Sequence, residues 1–297
     1  MQNRSYRGRL APSPTGFLHP GHLATFLKAA SRSRERQGTL LYRMEDLDGA
    51  RCRLQYDEAC LEDLRPFMNW QEGPDIGGPF GPYRQSERLK SGIYHKYWKI
   101  LRDKGFIYPS PHSRKEIRSH LRDGEDLDTG DILFPQELRR PAADALAFSD
   151  PGNTAFRFRV EPQTIEFTDL NLGCVTFQAG QDFGDFLIWS NQGYPSYEFA
   201  VVVDDYLMEI TEVVRGQDLL LSTARQLLIY RALGWSPPDF YHCSLLRTGD
   251  GQRLSKRRGS CTLRSLQERG WTVPALKEAC QGSQPNSALI EAISGDF

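Results

Sequence analysis

Cysteine is sparse and poorly spaced for a covalent role: the six in this 297-residue chain, Cys52, Cys60, Cys174, Cys243, Cys261 and Cys280, include no Cys-x-x-Cys pair. That pattern excludes a disulfide scaffold and a cysteine zinc knuckle, so the six read as free thiols. A long apolar run is also missing. No stretch approaches the ~20 residues that a helical bilayer span needs, and no membrane partner is expected. The first ten residues carry Arg4, Arg7 and Arg9 with no apolar segment behind them, unlike a secretory leader, so the expected compartment is cytoplasmic. Charge of one sign is lacking too: 37 Lys and Arg against 38 Asp and Glu leave a net charge of −1 and no global pull toward nucleic acid. No internal repeat is found. What is present, 39% hydrophobic and 25% charged residues, is the composition of an ordinary globular protein with ample core. Basic residues gather locally at Arg32 to Arg36, Arg114 to Arg122 and Arg253 to Arg258; each cluster reads either as a phosphate-facing patch or as a solvated face.

Periodicity orders the rest. Tyr6 to Leu10 is a short strand that runs into Ala11-Pro12-Ser13-Pro14-Thr15-Gly16, where two prolines and a glycine impose a loop. Leu23, Phe26, Leu27 and Ala30 then recur at helical spacing, and Gly38 marks the expected end of that helix. Thr39 to Met44 reads as a second strand, so the first fifty residues spell strand, loop, helix, strand, the opening of a nucleotide-binding α/β unit. From Gly105 to Asp185 the character changes, with Pro109-Ser110-Pro111, a charged run from Arg122 to Asp131 and the alternating Phe156 to Val160, as expected of an insertion between two halves of one sheet. Ala200-Val201-Val202-Val203 reads as a buried strand, with Ile210 to Val214 as another and Asp218 to Leu233 as a helix stopped by Gly234. The expected divisions are 1–104, 105–185, 186–245 and 246–297, the last too short for a further domain of usual size.

Five segments stand out within this frame: Arg9 through Gly16, His19-Pro20-Gly21-His22, Arg43-Met44-Glu45-Asp46, Tyr197 through Arg215, and Arg253-Leu254-Ser255-Lys256-Arg257. In that order they resemble the glutamyl branch of the class I aminoacyl-tRNA synthetases, and within it the short glutamyl-queuosine tRNA(Asp) synthetases. The resemblance implies an α/β fold: a Rossmann-type catalytic domain with a parallel sheet, an inserted α/β subdomain and a short helical C-terminal segment. It also implies ATP with Mg²⁺, glutamate and tRNA as reactants, with the chain expected to act as a monomer.

The chemistry gives these residues work. An ATP α-phosphate attacked by a carboxylate needs donors fixed where charge grows on the leaving pyrophosphate. His19 and His22 offer ring donors at a helix start, and Gly21 lets the nucleotide approach the backbone. By themselves, two nearby histidines also read as surface residues or a metal pair. Ser255 and Lys256, on a basic loop between Gly251 and Gly259, resemble the family's second signature, with Lys256 placed to neutralise phosphate charge. Glutamate presents two carboxylates and an ammonium, which calls for arginines and an acid. By resemblance, Arg9, Ala11 and Ser13 line that pocket, Glu45 meets the amino group, and Tyr197 and Arg215 complete it. Arg9 is the choice for the side-chain carboxylate; the competing view makes Glu45 and Arg215 structural ion pairs and Tyr197 core.

Two departures qualify the resemblance. The short branch usually carries a Cys-x-Cys pair, then a tyrosine and a third cysteine, as zinc ligands; here Tyr108-Pro109-Ser110-Pro111-His112-Ser113-Arg114 stands in that place, so no structural zinc is expected. His112 and His120 make at most an incomplete pair. The chain also ends soon after the Ser-Lys segment, where a glutamyl-tRNA synthetase continues into an anticodon-reading region, which favours transfer of glutamate to the queuosine base in the anticodon loop of tRNA(Asp). The alternatives are a compact synthetase charging the tRNA 3′ end and a catalytically idle synthetase-like protein that binds RNA.

Overall fold

The computed structural model describes residues 5–121, 133–245, 261–281 and 287–294. In chain order the elements are β1 (Arg7–Leu10), α1 (Pro20–Glu35), β2 (Thr39–Tyr42), α2 (Leu54–Leu64), α3 (Gln85–Lys90), α4 (Ile93–Asp103), β3 (Ile107–Pro109) and α5 (Arg114–Ser119). They continue with β4 (Phe156–Phe158), β5 (Gln163–Asp169), β6 (Gly173–Ala179), β7 (Phe186–Trp189), α6 (Tyr197–Leu207), β8 (Glu212–Gly216), α7 (Leu220–Leu233), β9 (Asp239–Cys243), α8 (Leu263–Glu268), α9 (Val273–Gln281) and α10 (Ser287–Ser294). They fall into two compact units, the first formed by residues 1–87, 209–219 and 238–297, the second by 88–208 and 220–237.

The first unit is built on parallel pairing. β1 pairs with β2, Arg9 opposite Leu41, and β8 pairs with β9, Arg215 opposite His242. The Thr211 N–H donates to the Arg7 carbonyl at 2.9 Å, which brings the segment before β8 alongside β1. Parallel strands need a crossover, and α1 supplies the one between β1 and β2. Its Leu23, Phe26, Leu27 and Ala30 are buried with Leu10, Leu40, Tyr42, Met44 and Val214 in one core, which also takes Leu266, Leu276, Leu289 and Ile293 of the C-terminal helices. The helix stops where Gln37 turns left-handed (φ 49°) and the Gly38 N–H caps the Ser33 carbonyl at 2.8 Å. Gly38 is required there, because a Cβ would lie 2.5 Å from the Tyr6 carbonyl oxygen. Glu212, buried at the start of β8, accepts from Tyr6 Oη at 3.0 Å and Arg32 Nη2 at 2.7 Å, tying α1 to the strands.

The second unit centres on β4, antiparallel to β3 on one side and β7 on the other, with β5 and β6 forming a hairpin. Asp185 organises its interior: it accepts from Tyr108 Oη at 2.6 Å, Val160 N–H at 2.8 Å and Arg139 at 2.6 and 2.8 Å. Asp204, fully buried, accepts from Arg88 Nε at 2.6 Å and Tyr94 Oη at 2.9 and 3.0 Å.

One expectation is corrected here. Ala200 to Val203, read from sequence as a buried strand, lies in the middle of helix α6. Every residue from Phe199 to Asp205 is buried, so the helix lacks the polar stripe that gives an amphipathic helix its 3.6-residue signature. A short continuous apolar run is then identical to a buried strand by periodicity alone. The available signal was Ser196, whose hydroxyl accepts from the Phe199 N–H as an N-cap. Among the described residues no helix is long and apolar enough to cross a membrane.

Candidate functional site

The loop after β1 and the start of α1 form one side of the candidate site. His19 is the N-cap of α1, its Nδ1 accepting from the Gly21 N–H at 3.1 Å, while His22 Nδ1 accepts from the His19 N–H at 3.3 Å. The two rings stack with centroids 3.7 Å apart. An Nδ1 that accepts carries no proton, so the neutral form of each ring has its N–H at Nε2, a donor turned away from the backbone. Pro20 sits at the first helical position, where its missing N–H costs nothing. The space above Gly21 is not empty: a Cβ there would meet the His19 ring at 2.9 Å. What the glycine admits in this structure is the imidazole of His19, which rests on the first turn of the helix.

The second side is a cluster of buried charge at the carboxyl ends of the parallel strands. Past the last paired residues of β1 and β2 the ladder continues, Arg43 N–H donating to Leu10 O at 2.8 Å and Glu45 N–H to Pro12 O at 3.0 Å. Alternation along these extended segments brings Arg9, Ala11 and Ser13 onto one line and Arg43 and Glu45 onto a neighbouring one. Arg9 is buried, and its Nη1 donates to the Val214 carbonyl at 3.1 Å, the residue before Arg215. Arg43 is fully buried and its Nη2 lies 3.1 Å from Glu45 Oε1. Arg215 is buried, its Nε–H donating to His242 Nε2 at 3.2 Å. Thus Arg9, Glu45 and Arg215 belong to one unit and converge through the β1, β2 and β8 strand ends. Ala11 beside them is half-buried and Ser13 exposed. Tyr197 stands in the second unit, half-buried as the first residue of α6.

Two buried residues bonded to these had been missed. Arg43 stood in a motif but with no assigned role; its spacing of two from Glu45 on extended backbone was the signal that both face one way. His242 left no signal, since a lone histidine in a strand acquires meaning only through its register with Arg215.

Ser255 and Lys256 lie outside the described residues. The residues flanking that segment are described: before it, Cys243 pairs with Gly216; after it, the Leu263 N–H donates to Leu18 O at 2.8 Å. Arg264 stands over the Phe17 ring at 5.1 Å and binds Asp63 at 2.7 Å and Glu62 at 2.8 Å. The chain therefore leaves the strand end beside Arg215 and returns onto the loop that carries His19.

The place where zinc ligands had been sought is differently occupied. Ser110 is buried, and its Oγ accepts from Arg157 Nε at 3.2 Å. Burial pushes the Arg157 pKa down, and its guanidinium lies 4.3 Å from the Phe134 ring centroid while donating to Asp185 O at 3.0 Å. A hydroxyl bonded to a cation is no metal ligand, and among the described residues no three His, Cys, Asp or Glu side chains group as a metal site.

Parallel strands with charged side chains at their carboxyl ends, and a helix N-terminus opening at the same end, make the binding edge of an open nucleotide-type α/β unit. Residues 5–284 match the family described as tRNA synthetases class I (E and Q), catalytic domain, and the chain belongs to that family. It is 41% identical over 89% of its length to a glutamyl-Q tRNA(Asp) synthetase of Symbiobacterium thermophilum, covering 81% of that protein. It is 39% identical, again over 89% of its length, to glutamate–tRNA ligase 2 of Pseudothermotoga lettingae, of which it covers 53%. A crystal structure of a glutamate–tRNA synthetase from Elizabethkingia anophelis superposes with a TM-score of 0.73 at 31% identity, covering 86% of this chain and 53% of that one. The chain thus spans just over half the length of the glutamate–tRNA ligases it matches.

Proposed function

We propose that this protein activates glutamate with ATP and transfers it to the queuosine base of tRNA(Asp). The observation that carries the first half is the convergence of Arg9, Arg43, Arg215 and Glu45, all buried, at strand ends beside which the paired imidazoles of His19 and His22 open α1. Arginine forks match carboxylates, and Glu45 can meet an ammonium. In the activation step a glutamate α-carboxylate oxygen attacks the α-phosphorus of ATP; the bond to the bridging oxygen breaks and pyrophosphate leaves with its electron pair. The Nε2–H groups of His19 and His22 donate to phosphate oxygens as charge develops, and Lys256 neutralises the leaving group. Mg²⁺ bound with the nucleotide would supply further neutralisation of its phosphate charge.

The second half rests on chemistry and kinship. Glutamyl-adenylate needs a hydroxyl nucleophile, whose oxygen attacks the carbonyl carbon as AMP leaves. Queuosine carries a cis-diol on its cyclopentene ring that imitates the vicinal hydroxyls of a terminal ribose, so a body that serves one diol can serve the other. Two relatives at 40 and 41% identity, each covered over more than four fifths of its length, are named glutamyl-Q tRNA(Asp) synthetases. The glutamate–tRNA ligases among the relatives, 38 to 40% identical, favour a second reading in which the acceptor is the tRNA 3′ end. The two are separated by supplying ATP, labelled glutamate and tRNA(Asp) with or without queuosine. Label is expected only on the queuosine form, and to be lost when the anticodon loop is excised; equal labelling of both forms would establish the 3′ end instead.

A further inference from the structure

The basic cluster at the end of α1 has no part in the steps above, and the structure divides its arginines. Arg32 and Arg36 turn to one carboxylate, that of Glu212, with Arg32 Nη2 at 2.7 Å and Arg36 Nη2 at 4.0 Å. Arg34, two residues from each and so on the opposite face of the helix, lines a cleft of about 340 Å³ within the first unit. Ala30, Arg34 and Gln37 recur at spacings of four and three, so this face of α1 and the turn after it make one wall; Leu40 of β2 and the segment from Met68 to Gln71 make the other. At 1.5 Å per residue Arg34 stands roughly 20 Å along α1 from His19. We propose that this cleft is a second nucleotide site, separate from that for ATP, which seats a base between its walls and a phosphate on Arg34. The nucleotide is either free or one unpaired unit of an RNA, and the chemistry that recognises it is the same.

The lining selects the ligand by what it contains and what it omits. Ala30, Leu40 and Met68, all buried, make an apolar floor on which a flat ring can lie. Above it stand the carboxamides of Gln37, Asn69 and Gln71, and Arg34 is the one charged residue of the lining. No carboxylate, histidine or cysteine lines the cleft, so a cation has no counter-charge there. A purely apolar ligand would take water from three carboxamides and return no hydrogen bond. A nucleotide meets both halves of the lining: a carboxamide presents a donor and an acceptor side by side, the pair that matches the edge of adenine, and a guanidinium forks onto phosphate. Gln71 Oε1 accepts the Leu40 N–H at 2.8 Å, which fixes that side chain before a ligand comes. Among the described residues nothing bonds the side chains of Arg34, Gln37 or Asn69, which leaves their donors for a ligand. The helix end does not confront an anion with bare carbonyls, because those of Arg32, Ser33 and Arg34 already accept from the N–H groups of Arg36, Gly38 and Gln37 at 3.1, 2.8 and 3.0 Å. Gln37 itself turns left-handed at φ 49°, where glycine is the undemanding residue but would bring no carboxamide to the cleft.

The methionines allow a test that separates the two sites. Of Met1, Met44, Met68 and Met208, Met68 lies in the cleft and Met44 lies between Arg43 and Glu45. The full chain, labelled with carbon-13 at the methionine methyl groups, is titrated in separate samples with AMP, with a short single-stranded oligoadenylate and with inorganic phosphate. AMP should shift the Met68 methyl saturably, and phosphate alone should not. Arg34→Ala, Asn69→Ala and Gln37→Gly should each weaken the midpoint of that shift by about 3- to 10-fold, the worth of one hydrogen-bonded contact, while the Met44 response to ATP stays as in wild type. Gln37→Gly relieves the left-handed turn, so its urea midpoint should not fall and the lost binding is not lost folding. A Met68 response to the oligonucleotide but not to AMP would identify the occupant as a nucleotide of RNA. No Met68 response to either at millimolar concentration, an equal response to phosphate alone, or wild-type midpoints in all three variants would overturn the proposal. None of these outcomes bears on activation of glutamate, which pyrophosphate exchange measures independently.

Discussion

The stacked imidazoles at the start of α1 show how a short motif divides its labour. His19 and His22 spend one nitrogen each on the helix's own first turn, which leaves both rings oriented before any ligand arrives. Gly21 makes that possible by yielding its Cβ space to the His19 ring. Gly21→Ala should therefore lower kcat/KM for ATP by about 10- to 100-fold through misplaced rings. Its unfolding midpoint should move little, since alanine gains up to about 1 kcal/mol of helix propensity against the clash. A wild-type rate would show that the ring position is not needed. Lys256, beyond the described residues, is expected to act on the leaving group, and Lys256→Ala should reduce glutamate-dependent pyrophosphate exchange by roughly 10²- to 10³-fold. Undiminished exchange would end that assignment.

Elements differ in how far local sequence controls them. β1, α1 and β2 were legible because each signal agreed: prolines in the loop, a proline at the first helical position, apolar spacing of three and four, and a glycine after the last turn. The helix α6 was not, because its burial on all sides removed the periodicity that would have declared it. Its cap is then the best local determinant. Ser196→Ala should destabilise the protein by about 1 kcal/mol, the usual worth of a serine N-cap, with Ser196→Asp restoring it. Chemical denaturation followed by far-UV circular dichroism measures this; an unchanged midpoint for Ser196→Ala would mean that packing alone holds the first turn.

At the scale of the whole molecule the chain passes from the first unit to the second and back twice, so neither unit is a continuous stretch of sequence. Of the residues proposed to bind glutamate, Arg9, Ala11, Ser13, Glu45 and Arg215 lie in the first unit and Tyr197 in the second. In the second unit Asp185 gathers Tyr108 and Arg139 on its carboxylate and Arg157 on its carbonyl. Burial, together with Asp185, pushes the Tyr108 phenol pKa well up, so the hydroxyl remains a donor across the physiological range. Elemental analysis of chelator-washed protein is expected to find well below one zinc per chain. Stoichiometric zinc that resists chelation would refute this, and would place its ligands outside the Ser110 to His112 stretch.

The sequence by itself determined the opening strand, loop, helix and strand, the family likeness, and which residue types any glutamate and ATP chemistry would have to use. Those are local or compositional properties, written in spacing and in the identity of single side chains. Tertiary structure alone decided which of them meet. Arg9 reaches Val214 across 205 positions, and Arg215 finds His242 only through the β8–β9 register. Tertiary structure also decided that Ser110 should receive a guanidinium and that Ala200 to Val203 should coil as a helix. The reason is the same in each case: a hydrogen bond between distant segments, or burial on every side, depends on what the rest of the chain brings alongside, and no pattern within a short window records it.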